Sequence, residues 1–376
     1  MSSWTPNSFR RVALGQGVDP DSVKTLIDEG NRLRHLYLPV IFTLGHLAAL
    51  CDVPYPCLNA IVQRKIDPYR VFRINKRQGG YRQITVPAEP LLVVQRWIHS
   101  NILLRRATHP ASMAFAPHCD PLHNATMHTK AHWLVKLDIT NFFESISERQ
   151  VYRVFREAGY CALLAFQFTR LCTRLSSGSL KYEKRRWKTR GETRYSVLAT
   201  KKMGHLPQGA PTSPMLANLV CYSLDKELEA CAEEVDCAYS RYADDIAFSG
   251  DSLDREKAAQ IIRSASVILG RHGFSRNRHK THVGTPGSRR IVTGLLVDSE
   301  VPRLTREFRE RIELHLYHAR TKGISEHCVR RRFRSLIGFK AHLDGLITYS
   351  EHIDPAFGAK CRSQFDALPW GELLSL

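Results

Sequence analysis

The sequence predicts an α+β protein, in which helices pack against an antiparallel sheet. Two pairs of β-prone segments, at 69–87 and 239–249, each fold back across a tight turn, which is typical of antiparallel hairpins. Other segments, such as 88–106 and 254–270, place apolar residues at helical intervals. Because 43% of the 376 residues are hydrophobic, the chain can form sizeable cores and two or three domains.

The N-terminal 65 residues are predicted to be helical, with one apolar face and a break or kink at Pro39. A two-stranded ribbon follows, in which 69–76 and 81–87 flank Gly79-Gly80, a pair that can adopt the positive φ angles of a hairpin turn. Such a ribbon could close over a polyphosphate, or it could be an ordinary solvated edge. Its basic side chains are Arg70, Arg73, Lys76, Arg77 and Arg82.

A buried strand is predicted over 132–139, with Asp138 at its end, where a charge needs a partner or a metal. Ser147 and Gln150 have the spacing of a capping box ahead of a helix. Residues 174–205 then interrupt the apolar pattern with ten basic and two acidic side chains. We interpret this insertion as a phosphate-contacting loop, because aromatic rings lie among the charges; a solvated insertion is the alternative.

A turn rich in proline and glycine, at 206–214, precedes an apolar helix. The next hairpin reads Arg-Tyr-Ala-Asp-Asp-Ile-Ala-Phe over 241–248, and its turn brings Asp244 and Asp245 to one exposed tip. Two like charges repel there unless cations neutralise them, and hard oxygen ligands suit Mg²⁺. An ordinary polar turn is the alternative, since Asp is common in turns.

Beyond this hairpin, the sequence predicts a short strand at 291–297 and basic helices from about residue 303. The net charge of +19 and pI near 9.7 favour a polyanionic partner through counterion release. The N-terminus lacks a signal pattern, and no apolar run reaches the roughly 18 residues that a membrane span requires. The ten cysteines form no CxxC pair, which indicates reduced thiols in the cytoplasm.

One group of possible zinc ligands lies close together in the sequence. Zinc could use four of these side chains, but their spacing matches no common zinc motif, and Pro121 with Asn124 indicates an irregular loop. The group consists of His118, Cys119, His123, His128 and His132.

The order of the segments resembles that of the reverse transcriptases. The motifs that carry the resemblance are a strand ending in Asp138 with Phe142-Phe143 behind it, Leu-Pro-Gln-Gly at 206–209, Tyr-Ala-Asp-Asp at 242–245 and Gly-Phe-x-x-Asn-x-x-Lys-Thr at 273–281. They look like motifs A to D of that family and span roughly residues 69–300. Two further elements, Asn124-Ala-Thr-Met-His128 and Val292-Thr-Gly294, resemble the NAxxH and VTG elements of the retron enzymes.

The resemblance implies a right-hand polymerase architecture with fingers, a palm built from an antiparallel sheet plus helices, and a helical thumb. The expected parts are an N-terminal helical extension (1–65), fingers (66–131), a palm (132–300, with the basic insertion 174–205) and an RNA-binding thumb (301–376).

The resemblance also assigns roles to residues. Asp138, Asp244 and Asp245 would be the catalytic carboxylates and, together with Ile139, would hold two Mg²⁺ ions for a two-metal mechanism. Phe143 would be the steric gate that favours deoxynucleotides, with Phe142 as the core residue. The expected contacts to the incoming dNTP are Arg82, Lys76 (with Arg77 as a helper), Phe143, Gln208 and Lys280.

For a retron enzyme, the expected partner is a structured non-coding RNA, extended from an internal guanosine 2′-OH to give branched RNA-linked DNA. A separate effector protein in anti-phage defence is also implied. A group II intron-type enzyme and a catalytically silent RNA-binding scaffold are the alternatives. The residues expected to hold RNA, for several of which packing is the other interpretation, are Asn124, His128, Val292, Thr293, Gly294, Arg330, Arg331 and Arg334.

Overall fold

The computed structural model describes residues 4–75, 79–117, 119–175, 203–251 and 253–370, and it confirms the α+β prediction. Most of the basic insertion (176–202), together with Lys76, Arg77 and His118, lies outside the described residues. Among the described residues, no helix is both long and apolar enough to cross a membrane.

Helices form the N-terminal part, as predicted. Thr5, Asp19 and Thr43 each accept a hydrogen bond from a backbone N–H in the first turn of the helix that follows, which stabilises its start. Pro39 lies in the break between two of these helices, where its ring disturbs no helical hydrogen bond. The helices are α1 (Pro6–Gly15), α2 (Pro20–His35), α3 (Leu44–Leu50) and α4 (Tyr55–Val62).

The predicted basic ribbon consists of β1 (Tyr69–Asn75) and β2 (Tyr81–Pro87), paired antiparallel. Most of β1 is exposed, whereas the last residues of β2 become buried as the ribbon enters the body of the protein. Helix α5 (Leu91–Asn101) follows and ends earlier than predicted, because a short 3₁₀ turn (Leu103–Arg105) replaces its last residues.

A four-stranded antiparallel sheet forms the centre of the molecule, in the order β4-β5-β3-β6. Its two faces contribute to two different cores, since side chains alternate along a strand. Val135 and Phe248 belong to the larger core, whereas Leu134 and Ala247 belong to the smaller one. The strands are β3 (Trp133–Asp138), β4 (Ala238–Tyr242), β5 (Asp245–Gly250) and β6 (His282–Gly284).

The larger core unites the N-terminal helices with those that cover the first face of the sheet. The capping box at Ser147 is present, with Gln150 at N3. The single apolar helix predicted after residue 214 is in fact two helices that meet at Cys221. The helices between the ribbon and β6 are α6 (Pro121–Thr126), α7 (Phe142–Ser145), α8 (Glu148–Glu157), α9 (Ala162–Cys172), α10 (Ser213–Val220), α11 (Tyr222–Glu233) and α12 (Arg255–Arg271).

The smaller core joins the second face of the sheet to the C-terminal helices. The single strand predicted at 291–297 is wrong: Thr293 and Gly294 have φ angles of 48° and 86°, so the chain turns back there as a hairpin. The elements are β7 (Ile291–Val292), β8 (Leu295–Leu296), β9 (Arg303–Leu304), α13 (Arg306–Thr321), α14 (Ile324–Arg330), α15 (Leu336–Ile353) and α16 (Pro355–Asp366).

Candidate active site

Carboxylates from two adjacent strands meet at one edge of the central sheet. Asp138 is the last residue of β3 and lies directly opposite Asp245, the first residue of β5. Asp244 precedes Asp245 in the two-residue turn that joins β4 to β5. The backbone N–H of Ile139 donates a hydrogen bond of 2.9 Å to the carbonyl of Asp244, which ties the end of β3 to that turn.

The charges of this cluster are coupled. Burial and the neighbouring Asp245 raise the pKa of Asp244. Burial also raises the pKa of Asp245, although Lys136 acts in the opposite direction. Lys280 Nζ lies 2.6 Å from Asp138 Oδ2, and this hydrogen bond raises the pKa of the lysine. The protein therefore holds three acidic groups closer together than their charges alone would favour.

The chemistry of the three carboxylates suits a hard divalent cation, whose positive charge would offset their mutual repulsion. Their side chains do not yet form a metal cage: among the described residues, no group of three or more His, Cys, Asp or Glu is arranged to hold a metal ion. The residues thus fit a Mg²⁺ site by donor type and by strand position. The metal roles of Asp138, Asp244, Asp245 and Ile139 stay predictions.

Aromatic residues lie immediately beside the carboxylates. Asn141 adopts a left-handed conformation (φ 49°), which turns the chain from β3 into the short helix α7. Phe142 is buried, as expected for a core residue, whereas Phe143 is only partly buried. The ring centroid of Phe143 lies 5.4 Å from that of Phe142 and 6.2 Å from that of Phe115. Phe143 therefore borders the site from a supported position.

The Leu206–Pro214 turn contacts the basic ribbon. Its Gln208 carbonyl accepts a hydrogen bond of 2.7 Å from the backbone N–H of Thr85 in β2. A Cβ at Gly209 would lie 3.0 Å from Ile84 Cγ2 and 3.1 Å from the Thr85 carbonyl, so the close approach requires glycine. Arg82 shares the Ile84 face of the ribbon, because residues two apart in a strand point the same way. This face is the one directed at the turn.

The other end of the same turn is anchored by a partly buried ionic network. Glu148 pairs with Arg64 from the N-terminal helical part, and its Oε1 accepts a hydrogen bond of 3.0 Å from the Thr173 hydroxyl. The backbone N–H of Glu148 donates to the carbonyl of Gly204 (3.0 Å), and Leu206 donates to Ile146 (3.1 Å). The turn is thus held from both sides before any substrate binds.

The NAxxH element lies inside the protein. Asn124 and His128 are buried, and the two His128 ring nitrogens lie 2.7 Å from the hydroxyls of Ser249 and Ser240, which belong to β5 and β4. Burial, with a smaller contribution from Lys136, lowers the pKa of His128 to about 4, so the ring is neutral at pH 7. Asn124 and His128 thus have a packing role in this structure, and a part for them in holding RNA stays a prediction.

The VTG element packs against the NAxxH helix. The Thr293 hydroxyl donates to the carbonyl of Pro121 in α6 (2.7 Å). Val292 is buried in the smaller core, whereas Gly294 is exposed, and the RNA-holding role of this element stays a prediction. Arg330, Arg331 and Arg334 are exposed, as a nucleic-acid contact requires.

Sequence reasoning missed two features of the site. Lys136 lies on the same face of β3 as Asp138 and influences Asp245 across the sheet. Arg241 and Asp225 form a fully buried ion pair beneath the hairpin turn. The sequence signal that could have revealed this ion pair was Arg241 itself, a charged residue inside an apolar strand, immediately before Tyr242.

The zinc alternative gains no support. His128 is held by two serines, and His132 Nδ1 lies 2.9 Å from Asp251 Oδ1 on the exposed surface. Within the described part of the chain, which leaves out His118, no cluster of three metal-binding side chains is present.

Comparison with known proteins matches these observations. Residues 74–295 match the family described as reverse transcriptase (RNA-dependent DNA polymerase). The retron Ec86 reverse transcriptase of Escherichia coli is 30% identical over 87% of this chain and 94% of that protein. The retron Mx162 reverse transcriptase of Myxococcus xanthus is 32% identical over 80% of this chain, which spans 61% of that protein's length.

A solved foamy viral protease-reverse transcriptase in complex with double-stranded DNA aligns with a TM-score of 0.41 and 12% identity, over 79% of this chain and 38% of that one. This overlap is too partial to support a detailed comparison. The family match covers more than half of the chain, and the Escherichia coli relative is matched over nearly its whole length. The chain therefore belongs to the retron reverse transcriptases and is an RNA-directed DNA polymerase.

Proposed function

We propose that this polymerase copies part of a cognate structured RNA into DNA at the Asp138, Asp244 and Asp245 site, using Mg²⁺ and dNTPs. The observation that carries the proposal is the strand register, which sets Asp138 opposite Asp245 with Asp244 in the adjoining turn. Phosphoryl transfer needs positioning and charge neutralisation more than other functional groups. Carboxylates that converge from two strands can hold the cations that meet both needs, so few other functional groups are required.

The side chains around the carboxylates have complementary tasks in this proposal. Bound divalent cations would activate the primer hydroxyl and neutralise charge on the triphosphate. Arg82 on the ribbon face directed at the turn would grip the triphosphate, and Gln208 would contact the incoming nucleotide. The Phe143 ring would exclude a ribose 2′-OH. Lys280, already beside Asp138, would donate a proton to the pyrophosphate.

The RNA-binding part of the proposal rests on charge. Exposed arginines between α14 and α15, in a chain with a net charge of +19, favour an RNA backbone over base edges. We propose that priming occurs at a guanosine 2′-OH of this RNA, which yields branched RNA-linked single-stranded DNA. The proposed parts are the N-terminal helical extension (1–65), fingers (66–131), palm (132–300) and thumb (301–376).

The proposed setting is the bacterial cytoplasm, with a separate effector protein and a role in anti-phage defence. Retron membership supports this setting. A catalytically silent scaffold and a group II intron-like activity remain the competing interpretations. The nucleic acid that copurifies with the protein separates them, because only the proposed activity leaves a branched species that both RNase and DNase degrade.

The test uses the protein expressed with its neighbouring RNA. Changing Asp244 and Asp245 together to Asn should lower DNA synthesis by at least about 10³-fold, because the carboxylates that would hold the charge-neutralising cations are lost. RNA binding and folding should be unchanged. Asp251→Asn, an exposed carboxylate at the other end of β5, is the control and should synthesise DNA normally. Synthesis that persists in the double variant would refute the site, and linear RNA without DNA in the unaltered complex would favour the scaffold.

A further inference from the structure

A fully buried ion pair lies directly beneath the Tyr-Ala-Asp-Asp turn. Arg241 Nε lies 2.6 Å from Asp225 Oδ1, and Arg241 Nη2 lies 2.7 Å from Asp225 Oδ2, so the pair is bidentate. Both side chains are completely buried. The Tyr239 hydroxyl also donates to Asp225 (2.8 Å). Burying two charges is costly, and simple core packing would be served as well by apolar residues. The buried pair is therefore better explained by a geometric role than by core packing.

Every N–H of the Arg241 guanidinium has an acceptor. The donors that do not reach Asp225 bond to the Ser112 hydroxyl (3.0 Å), to Asn218 Oδ1 (3.4 Å) and to the carbonyl of Ala243 (3.1 Å). Arginine has five such donors in a fixed planar fork, and lysine cannot reproduce this pattern. One side chain thus links the segment before α6, the helices that follow the Leu206–Pro214 turn, and the hairpin turn itself.

The contact with Ala243 lies at a strained position. Ala243 has a φ of 57°, a left-handed conformation that is strained for a residue other than glycine. The turn between Tyr242 and Asp245 has two residues, so Ala243 sets the direction of the Asp244 backbone. Its carbonyl belongs to the peptide that joins it to Asp244, and Arg241 Nη1 donates to this oxygen. The guanidinium therefore holds the peptide plane immediately before a catalytic-site carboxylate.

We propose that Arg241 is a positioning residue, which fixes the Ala243–Asp244 peptide so that the Asp244 carboxylate faces Asp138. The proposal rests on the role proposed above for Asp244. Asp225 holds the guanidinium in the correct rotation through its two short bonds. Ser112 and Asn218 accept the remaining N–H donors and so leave no buried donor of the guanidinium without an acceptor.

The test compares Arg241→Lys, Ala243→Gly and the double variant, in the complex with RNA. Arg241→Lys keeps the charge opposite Asp225 but loses the fork, so kcat should fall at least about tenfold while KM for dNTP changes less than about threefold. The divalent-cation concentration for half-maximal rate should rise. Glycine adopts a positive φ without strain, so Ala243→Gly should restore part of the lost kcat, about two- to fivefold, in the Arg241→Lys background.

Ser112→Ala is the matched control, because it removes a hydrogen bond from Nη2 of the same guanidinium and leaves the Nη1 bond to Ala243 in place. It should lower the melting temperature without changing kcat or the cation requirement. Equal losses of kcat in Ser112→Ala and Arg241→Lys, or no rescue by Ala243→Gly, would overturn the positioning role. If Arg241→Lys does not fold, Ala243→Val in the native background decides: it should lower kcat at unchanged RNA affinity, because a β-branched residue resists positive φ.

The proposed function and this inference fail in different ways. If Asp244→Asn retains DNA synthesis, the site assignment itself is refuted. If Asp244→Asn abolishes synthesis but a folded Arg241→Lys protein keeps its kcat and its cation requirement, only the positioning role is refuted.

Discussion

At the scale of single residues, the aspartates of the site carry more negative charge than the neighbouring basic groups neutralise. The pKa values of Asp244 and Asp245 are both raised, first by burial and then by neighbouring acidic groups, while Lys136 and Lys280 offset part of the effect. The strand register and the tight turn determine where these carboxylates lie, so the rest of the fold must supply the stability that they cost. Such clusters of perturbed groups are typical of functional sites.

This repulsion predicts a stability gain on neutralisation. In buffer without divalent cations, Asp244→Asn should raise the melting temperature at pH 7–8 by about 1–3 °C. A raised pKa means that the folded state binds the proton more tightly than the unfolded chain does, so the ionised group costs stability above that pKa. The gain should therefore shrink as the pH falls from neutral into the acid range, where the native carboxyl becomes protonated. Thermal unfolding across this pH range measures it.

Asp251 provides a control, because its substitution should change the melting temperature in the opposite direction. Its pKa is lowered, first by the hydrogen bond from the His132 backbone N–H. Asp251→Asn should therefore lower the melting temperature slightly at neutral pH, and this loss should vanish in acid. If Asp244→Asn and Asp251→Asn respond to pH in the same direction, the repulsion at the site does not affect stability.

At the scale of elements, the Leu206–Pro214 turn joins the ribbon to the body of the protein. One end is bonded to β2 through Gln208, and the other end is held by the Glu148 network. A ribbon of two strands is marginally stable alone, so this attachment decides where its basic face lies. The position of the proposed triphosphate contact therefore depends on a turn that is remote in sequence.

Gly209→Ala should disturb this attachment. The new Cβ would meet Ile84 and the Thr85 carbonyl, and the φ of 114° is strained for alanine. We expect a loss of roughly 1–3 kcal/mol in the free energy of unfolding and a several-fold rise in KM for dNTP. Steady-state kinetics and denaturant unfolding measure both. Gly287→Ala is the matched control, because its φ of 82° gives comparable strain in open space, so only stability should change. A KM increase of the same size in both variants would exclude a specific role for the turn.

At the scale of the whole molecule, the central sheet is shared between two cores. The first face packs with the N-terminal helices, and the second packs with α6, the 291–304 strands and the C-terminal helices. The buried NAxxH and VTG elements lie in this second interface, where His128 bridges β4 and β5. They therefore hold the C-terminal helices against this second face of the sheet.

The basic surface of the C-terminal helices predicts a strong salt dependence of RNA binding. Changing Arg331 and Arg334 to Gln should weaken RNA binding and reduce the slope of log K against log salt by up to about 2, since each phosphate contact contributes about one. Filter binding at several salt concentrations measures the slope. Arg306→Gln removes an equally exposed charge that Glu310 already pairs, and it should change the slope less. Equal slopes for the unaltered protein, the double variant and Arg306→Gln would show that the RNA binds at another surface.

Local sequence patterns were sufficient to predict most of the local structure. The capping box at Ser147, the Gly79-Gly80 ribbon and the paired aspartates could all be predicted, because turns, caps and two-residue alternation are set by neighbouring residues. Motif order and spacing also identified the family, which the comparisons confirm. The hairpin at Thr293-Gly294 escaped prediction, because threonine rarely adopts the positive φ that its tertiary contact with Pro121 supports.

Only the tertiary structure decided which residues meet across long separations. Sequence alone determined that Asp138 ends a strand and that Asp244 and Asp245 occupy a turn, since these are local properties. The fold decided that Lys136 faces Asp245, that His128 is enclosed between two serines, and that Arg241 supports the turn from beneath. The physical reason is that burial and pairing depend on residues from distant parts of the chain. A local sequence pattern does not specify which distant residue will pack against it.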